Sequence, residues 1–198
     1  MRTTIVKRRI LNKERIFFLA CFAFGLMIGR NSFKWLSAEL WQIVRQIIMD
    51  GINTSDTGFF QSYVSLFSTN FALELILELC VFSICALPFA GVFLLCYGMG
   101  IGTCLTVAAM SVKTTENMML TMITLIVYCF LTSCCYIYQA EMVIQDSKRM
   151  LRTISGSKQR KNGLNSAKNS AVKLFCITVI LSVCALIFTF FRVKLPLI

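Results

Sequence analysis

LCVFSICALPFAGVFLLCYGMGIGTCLTVAAMSV, residues 79–112, contains no charged side chain. A helix that crosses the hydrocarbon core of a bilayer needs about 20 apolar residues. With Phe71–Glu78 in front, this stretch is too long for one ordinary span and long enough for two. Two breaks are open. Leu87-Pro88 can end one helix and start the next, because proline suits a first helical turn. Gly98, Gly100 and Gly102 can instead supply the turn. The proline break is the preferred one. It gives spans over Asn70–Leu87 and Pro88–Val112, with Gly98 and Gly102 spaced as a GxxxG close-packing pair inside the second.

The remaining chain extends the pattern on both sides. Before this stretch, Ile16–Gly29 is apolar but short for a span. It reaches 16–35 if Arg30 and Lys34 turn their charges toward the headgroups, with Trp35 at the interface. A basic, apolar start also describes a signal peptide, but no small-residue cleavage pattern follows, so a retained anchor is expected. Gly25 and Gly29 make a second GxxxG pair. After a short polar knuckle at Lys113–Asn117, a further span is expected over Met118–Gln139, and a last one over Val172–Phe191 with a short tail, 192–198.

Charge sorts the ends of these spans. Of 20 Lys and Arg, one group (Arg2, Lys7, Arg8, Arg9, Lys13, Arg15) lies in segment 1–15 and another (Lys148, Arg149, Arg152, Lys158, Arg160, Lys161, Lys168, Lys173) between Glu141 and Lys173, all but the last of it in segment 140–171. Cytoplasmic loops carry such an excess. Five crossings put both groups inside, the amino terminus cytoplasmic and the carboxyl terminus extracytoplasmic. The middle of the second group, Ser155–Ser170, is rich in Ser, Gly, Asn, Lys and Arg and reads as a flexible loop. Charge that flanks apolar blocks is matched by anionic membrane lipid rather than by nucleic acid. The expected fold class is therefore all-α: a polytopic membrane helix bundle with about five transmembrane helices plus outer-face amphipathic helices.

Segment 36–69 is the expected extracytoplasmic loop. Leu36, Leu40, Trp41, Val44, Ile47 and Ile48 recur at helical spacing, with Glu39, Gln42, Arg45 and Gln46 between them, which describes an amphipathic helix on the membrane or the bundle. Asp50, Gly51, Asn53, Ser55, Asp56 and Gly58 make a turn-rich connection, and Phe59, Phe60, Tyr63, Val64 and Phe67 begin a second amphipathic stretch. Trp41, Val44, Phe59 and Phe60 are the candidate partner surface. The cluster 70–139 would hold the three middle spans.

Signs of chemistry are few. The chain has no His, the commonest general base and metal ligand. Its 10 Cys fall within apolar blocks without zinc spacing and read as small packing residues, with the vicinal Cys134 and Cys135 the one pair that invites a test for redox chemistry. No cofactor, no metal and no catalytic residue is expected. Glu74 and Glu78 stand apart, since on a helix they share a face. A carboxylate within a span is costly and marks a functional candidate, here a cation or proton path. If they lie near the outer boundary instead, they merely touch water or the loop helices.

Three short pieces of the middle carry a family likeness: Phe67-Ser68-Thr69-Asn70, Leu87-Pro88-Phe89-Ala90-Gly91, and Tyr97-Gly98-Met99-Gly100-Ile101-Gly102. Across residues 67–102 the chain resembles the stage II sporulation protein M family, with its Phe-x-x-Asn lead, a proline near the next span and a Gly-x-x-x-Gly within it. Asn70, Pro88, Gly98 and Gly102 match that pattern. Tyr97 stands where the family often has Asn, and Glu74 and Glu78 have no counterpart in it. The resemblance implies a non-enzymatic membrane scaffold of forespore engulfment, with the peptidoglycan-degrading stage II sporulation proteins D and P as partners. The close-packing glycines also allow a homo-oligomer.

Overall fold

In a computed structural model, the backbone is described for residues 2–52, 58–82, 85–111, 116–154 and 160–194. All elements among the described residues are helices: α1 (Arg2–Arg30), α2 (Ser32–Trp35), α3 (Ala38–Ile52), α4 (Phe59–Leu79), a 3-10 turn (Cys80–Phe82), α5 (Ala86–Ser111), α6 (Glu116–Ile154) and α7 (Arg160–Lys194). Among them, three helices are long and apolar enough to cross a membrane: Ala86–Met110, Met122–Leu151 and Ala171–Phe191. The expected count of about five is not reached on that criterion. In α1 the apolar run stops at Gly29 and is bracketed by Lys13, Glu14, Arg15 and Arg30. In α4, Asn70, Glu74 and Glu78 interrupt the apolar sequence.

The helices alternate in direction. Gly25 and Gly29 of α1 meet Leu95 and Met99 of α5, so these two run parallel. Phe93 and Tyr97 of α5 meet Tyr136 of α6, while Ile101 and Ala108 share a core with Leu125 and Cys129, so α6 runs antiparallel to α5. Asn70 and Glu74 of α4 bond Tyr128 and Gln139 of α6, which makes α4 parallel to α6. The main core lies among α1, α4, α5, α6 and α7: Phe18, Leu77, Leu94, Tyr136, Ile144 and Leu181 are fully enclosed there. The outer surface is apolar as well, with Phe24, Phe130 and Phe175 each more than half exposed. That inversion suits lipid, because a bilayer removes the penalty for exposed hydrocarbon.

Several boundaries differ from the sequence reading. The first expected span, 16–35, is two helices. α1 ends at Arg30, Asn31 makes the turn, and Trp35 of α2 is 85% exposed. The amphipathic stretch that starts at Phe59 and the span expected from Asn70 are one continuous helix, α4. The break before α5 precedes the proline. α4 stops at Leu79, Phe89 N–H bonds Cys85 C=O at 3.1 Å, and Pro88 sits in the first turn of α5, where a missing N–H costs nothing.

The expected flexible loop is largely helical too. α6 continues to Ile154 and α7 starts at Arg160, leaving only 155–159 of that loop outside the described residues, along with 53–57 of the outer loop, 83–84 of the span expected over Asn70–Leu87, 112 at the end of the next expected span, 113–115 at the start of the polar knuckle, and 195–198 of the tail. Lys and Arg are good helix formers, so a basic helical hairpin can continue beyond the apolar stretch. Ion pairs tie it down. Arg15 Nε lies 2.5 Å from Glu141 Oε1, and Lys148 pairs with Glu14. The start of α1 and the second half of α6 therefore occupy one end of the bundle, the basic end.

Candidate functional site

Helix α4 brings the polar side chains inward. Asn70, Glu74 and Leu77 lie one turn apart and are all buried. Glu74 is 2% exposed and sits between α6 and α7. Thr178 Oγ1 of α7 donates to Glu74 Oε1 at 2.8 Å and also reaches the Leu174 carbonyl at 3.1 Å. Gln139 of α6, wholly enclosed, donates from Nε2 to the Glu74 carbonyl oxygen at 3.1 Å. Two buried acceptors are left over: Glu74 Oε2 and Gln139 Oε1 have no hydrogen-bond partner. A bare buried carboxylate oxygen is expensive in a low-dielectric interior. One added donor between these side chains, such as a proton on the carboxyl, would satisfy an orphan. Glu74, at 2% exposed, does not touch water, and its partners are α6 and α7 rather than the loop helices.

Glu78 is only half-buried, one turn closer to the basic end, beside the Gln139 amide and within reach of Asp146. The two acids therefore differ. Glu74 is sealed among helices and Glu78 is at the edge of the same polar patch.

One turn the other way, Asn70 Nδ2 donates to the Tyr128 hydroxyl at 2.7 Å, and the Tyr136 hydroxyl donates to the Asn70 carbonyl at 3.1 Å. Tyr97 of α5 donates to Thr132 of α6 at 2.7 Å, and its ring meets Tyr136 edge-on at 4.7 Å. Tyr63 and Ser182 join α4 to α7 through a 2.7 Å hydroxyl pair. These bonds fasten α4, α5, α6 and α7 at several heights. Replacing Asn70 with Ala removes the Tyr128 partner, and is expected to cost about 1 kcal/mol, the scale of an interhelical hydrogen bond in lipid. Unfolding of the detergent-solubilised variant against the native chain checks it.

Asn70, Tyr97 and Tyr128 also line a cleft of about 570 Å³, otherwise walled by Ile48, Phe93, Ile101 and Phe188. It is a mainly apolar recess between α3 and the bundle.

The glycine pairs face each other. A Cβ on Gly25 would overlap the Leu95 carbonyl oxygen, and one on Gly29 that of Met99. Reciprocally, a Cβ on Gly98 would come within 2.5 Å of the Phe22 carbonyl oxygen, and one on Gly102 within 2.5 Å of that of Leu26. The sequence showed two small faces without showing that they are partners.

The expected partner surface divides. Trp41 and Val44 are half-buried, the Trp41 ring 6.2 Å from that of Phe33. Leu40, Ile43 and Ile47 are more than half exposed instead, and so is Phe60, while Phe59 is less so. The helical spacing marked Leu40, Trp41, Val44, Ile47, Phe59 and Phe60 but not Ile43, and it does not say which part of a broad stripe meets the bundle.

Among the described residues no three His, Cys, Asp or Glu come together to hold a metal. Cys134 is exposed on the bundle surface and Cys135 is half-buried. Compared with models of known families, with curated proteins and with solved structures, the chain matches none.

Proposed function

We propose that the chain is a non-enzymatic scaffold of the cell membrane that crosses the bilayer five times and holds a partner at its outer face. The alternating helix directions support the count. With α1 and α4 included, each long helix reverses the one before, and both basic stretches fall at one end, which the positive-inside rule assigns to the cytoplasm. The amino terminus is then cytoplasmic and the carboxyl terminus extracytoplasmic. Shortness does not bar α1 from the membrane, because its cationic ends can reach the headgroups while backbone contact with α5 holds it upright.

The observation that carries the scaffold reading is the exposed apolar stripe of Leu40, Ile43 and Ile47 on α3, together with the exposed Phe60 at the start of α4, all on the part of the chain away from the basic segments. Apolar anchors of this kind bind partner proteins. By resemblance, the partners are the extracytoplasmic domains of stage II sporulation proteins D and P, and the setting is engulfment. A second copy of the chain is the competing occupant. Changing Leu40, Ile43 and Ile47 together to Ser is expected to lower capture of those domains at least tenfold, with membrane insertion unchanged. Binding assays on the solubilised full chain measure it. Undiminished capture would remove the surface from consideration, and a loss of self-association alone would point to the homo-oligomer.

A second reading is favoured by one observation, the unpartnered buried oxygen of Glu74. It makes the chain a small transporter or permease subunit, with Glu74 and Glu78 in a cation or proton path.

A further inference from the structure

We propose that a recess at the outer end of α1 and α5 binds the phosphate headgroup of an anionic phospholipid, and that it is a lipid site separate from the basic end. This rests on the five-crossing reading, which puts that end at the outer leaflet. The recess measures about 770 Å³. Its rim carries Arg30 and Lys34, and its wall carries Leu26, Leu105 and Met110. Both cations are exposed. Ion pairs among the described residues involve Arg15, Lys148 and Arg149 and neither of these two. Lys34 Nζ lies 5.6 Å from the centre of the Phe33 ring, so its ammonium is held over an apolar surface beside the recess.

The two halves of the recess match the two halves of an amphiphile. A guanidinium and an ammonium at one rim are the donors that a phosphodiester takes, the guanidinium as a fork and the ammonium as a point charge. The apolar run of α1 ends at Gly29, so Arg30 and Lys34 stand where hydrocarbon gives way to headgroups. Leu26 lies one turn inside Arg30 on α1, in position to contact an acyl chain, whereas Leu105 and Met110 of α5 flank the cations further toward the outer end. A soluble phosphate would use the rim and gain nothing from that wall. Lipid attraction by the sequence-evident basic segments is general and electrostatic, whereas this recess offers shape as well as charge.

Native mass spectrometry of the full chain in detergent, titrated with phosphatidylglycerol, phosphatidylcholine or inorganic phosphate, tests the proposal. Wild type should retain phosphatidylglycerol about tenfold better than phosphatidylcholine, and the Arg30→Gln/Lys34→Gln variant should lose that preference for one bound lipid. Both residues are exposed, and thermal unfolding should confirm that the variant folds. Lys148→Gln/Arg149→Gln should shed lipid from the basic end and keep the site-specific one. Equal retention of the two lipids, full retention by the Arg30/Lys34 variant, or displacement by inorganic phosphate would each overturn the assignment. A Ser37→Cys reporter should label from outside intact cells. Labelling only from the cytoplasmic side would overturn the crossing reading and the outer-leaflet site with it, whereas a lipid result alone bears on the site.

Discussion

Gly98→Leu is expected to destabilise the folded chain by about 3 kcal/mol. The cause is the identity of what the new side chain meets. A Cβ at Gly98 would come within 2.5 Å of the Phe22 carbonyl oxygen and 3.1 Å of the Leu26 nitrogen, both backbone atoms of α1. Side chains can rotate aside, but a helix backbone can yield only by moving the whole helix. Moving α1 also separates Gly25 and Gly29 from Leu95 and Met99, because all four glycines share one seam. Lipid provides no hydrophobic force to hold helices together, so close van der Waals contact and Cα–H···O bonds carry this pairing. Gly100 is the internal control. It lies on the same helix, two residues away, and a Cβ there meets nothing within 4 Å. Gly100→Ala should leave the seam intact and stabilise the chain by about 0.5–1 kcal/mol, the usual cost of a helical glycine. Reversible unfolding in mixed detergent, or steric trapping in bicelles, reads both. A Gly98→Leu chain within about 0.5 kcal/mol of wild type would mean that α1 and α5 do not touch along their backbones.

How far the sequence reached depends on the element. α5 and the apolar part of α7 were legible because nothing but hydrocarbon length determines them. The second half of α6 was not. Apolar reading stops near Gln139, but the helix goes on to Ile154, held by Glu141 and Lys148 pairing with α1, and a partner on another helix leaves no trace in local hydropathy. α4 was misdivided for a related reason. Ser62, Asn70 and Glu74 are buried while Gln61, Ser65, Ser68 and Thr69 are exposed, so one continuous helix with polar residues on more than one face imitates an amphipathic surface helix followed by a span. That error propagated to Glu74. Counted from Asn70, it lies one turn inside a boundary. Counted from Phe59, where the helix begins, it lies about four turns in. GxxxG spacing likewise marked which faces are narrow, but pairing them needed the parallel direction of α1 and α5.

Glu74→Gln is expected to keep or raise stability, by up to about 1 kcal/mol, whereas Glu74→Ala should cost about 3 kcal/mol. The amide keeps an oxygen for Thr178, which donates to Glu74 Oε1 at 2.8 Å in the native chain. It also supplies N–H donors on the side where Glu74 Oε2 is now unpartnered, and it lies against Gln139, whose own Oε1 lacks a donor. Alanine satisfies neither and leaves a cavity among α4, α6 and α7. Unfolding measurements decide whether the carboxyl is a structural cost, and the same pair of variants then separates the two functional readings. A scaffold requires only that α4 stay in place, so Glu74→Gln should capture the outer partners as well as wild type does, and Glu74→Gln/Glu78→Gln should as well. A path through these acids requires a group that can take up and release a cation, which an amide cannot do. Proteoliposomes holding wild type would then pass protons or alkali cations, and the stable Gln variant would not. Flux in wild type that disappears in a well-folded Glu74→Gln chain would overturn the scaffold reading. Its absence in both, with partner capture intact, would leave Glu74 as a polar strut that joins α4 to α6 and α7.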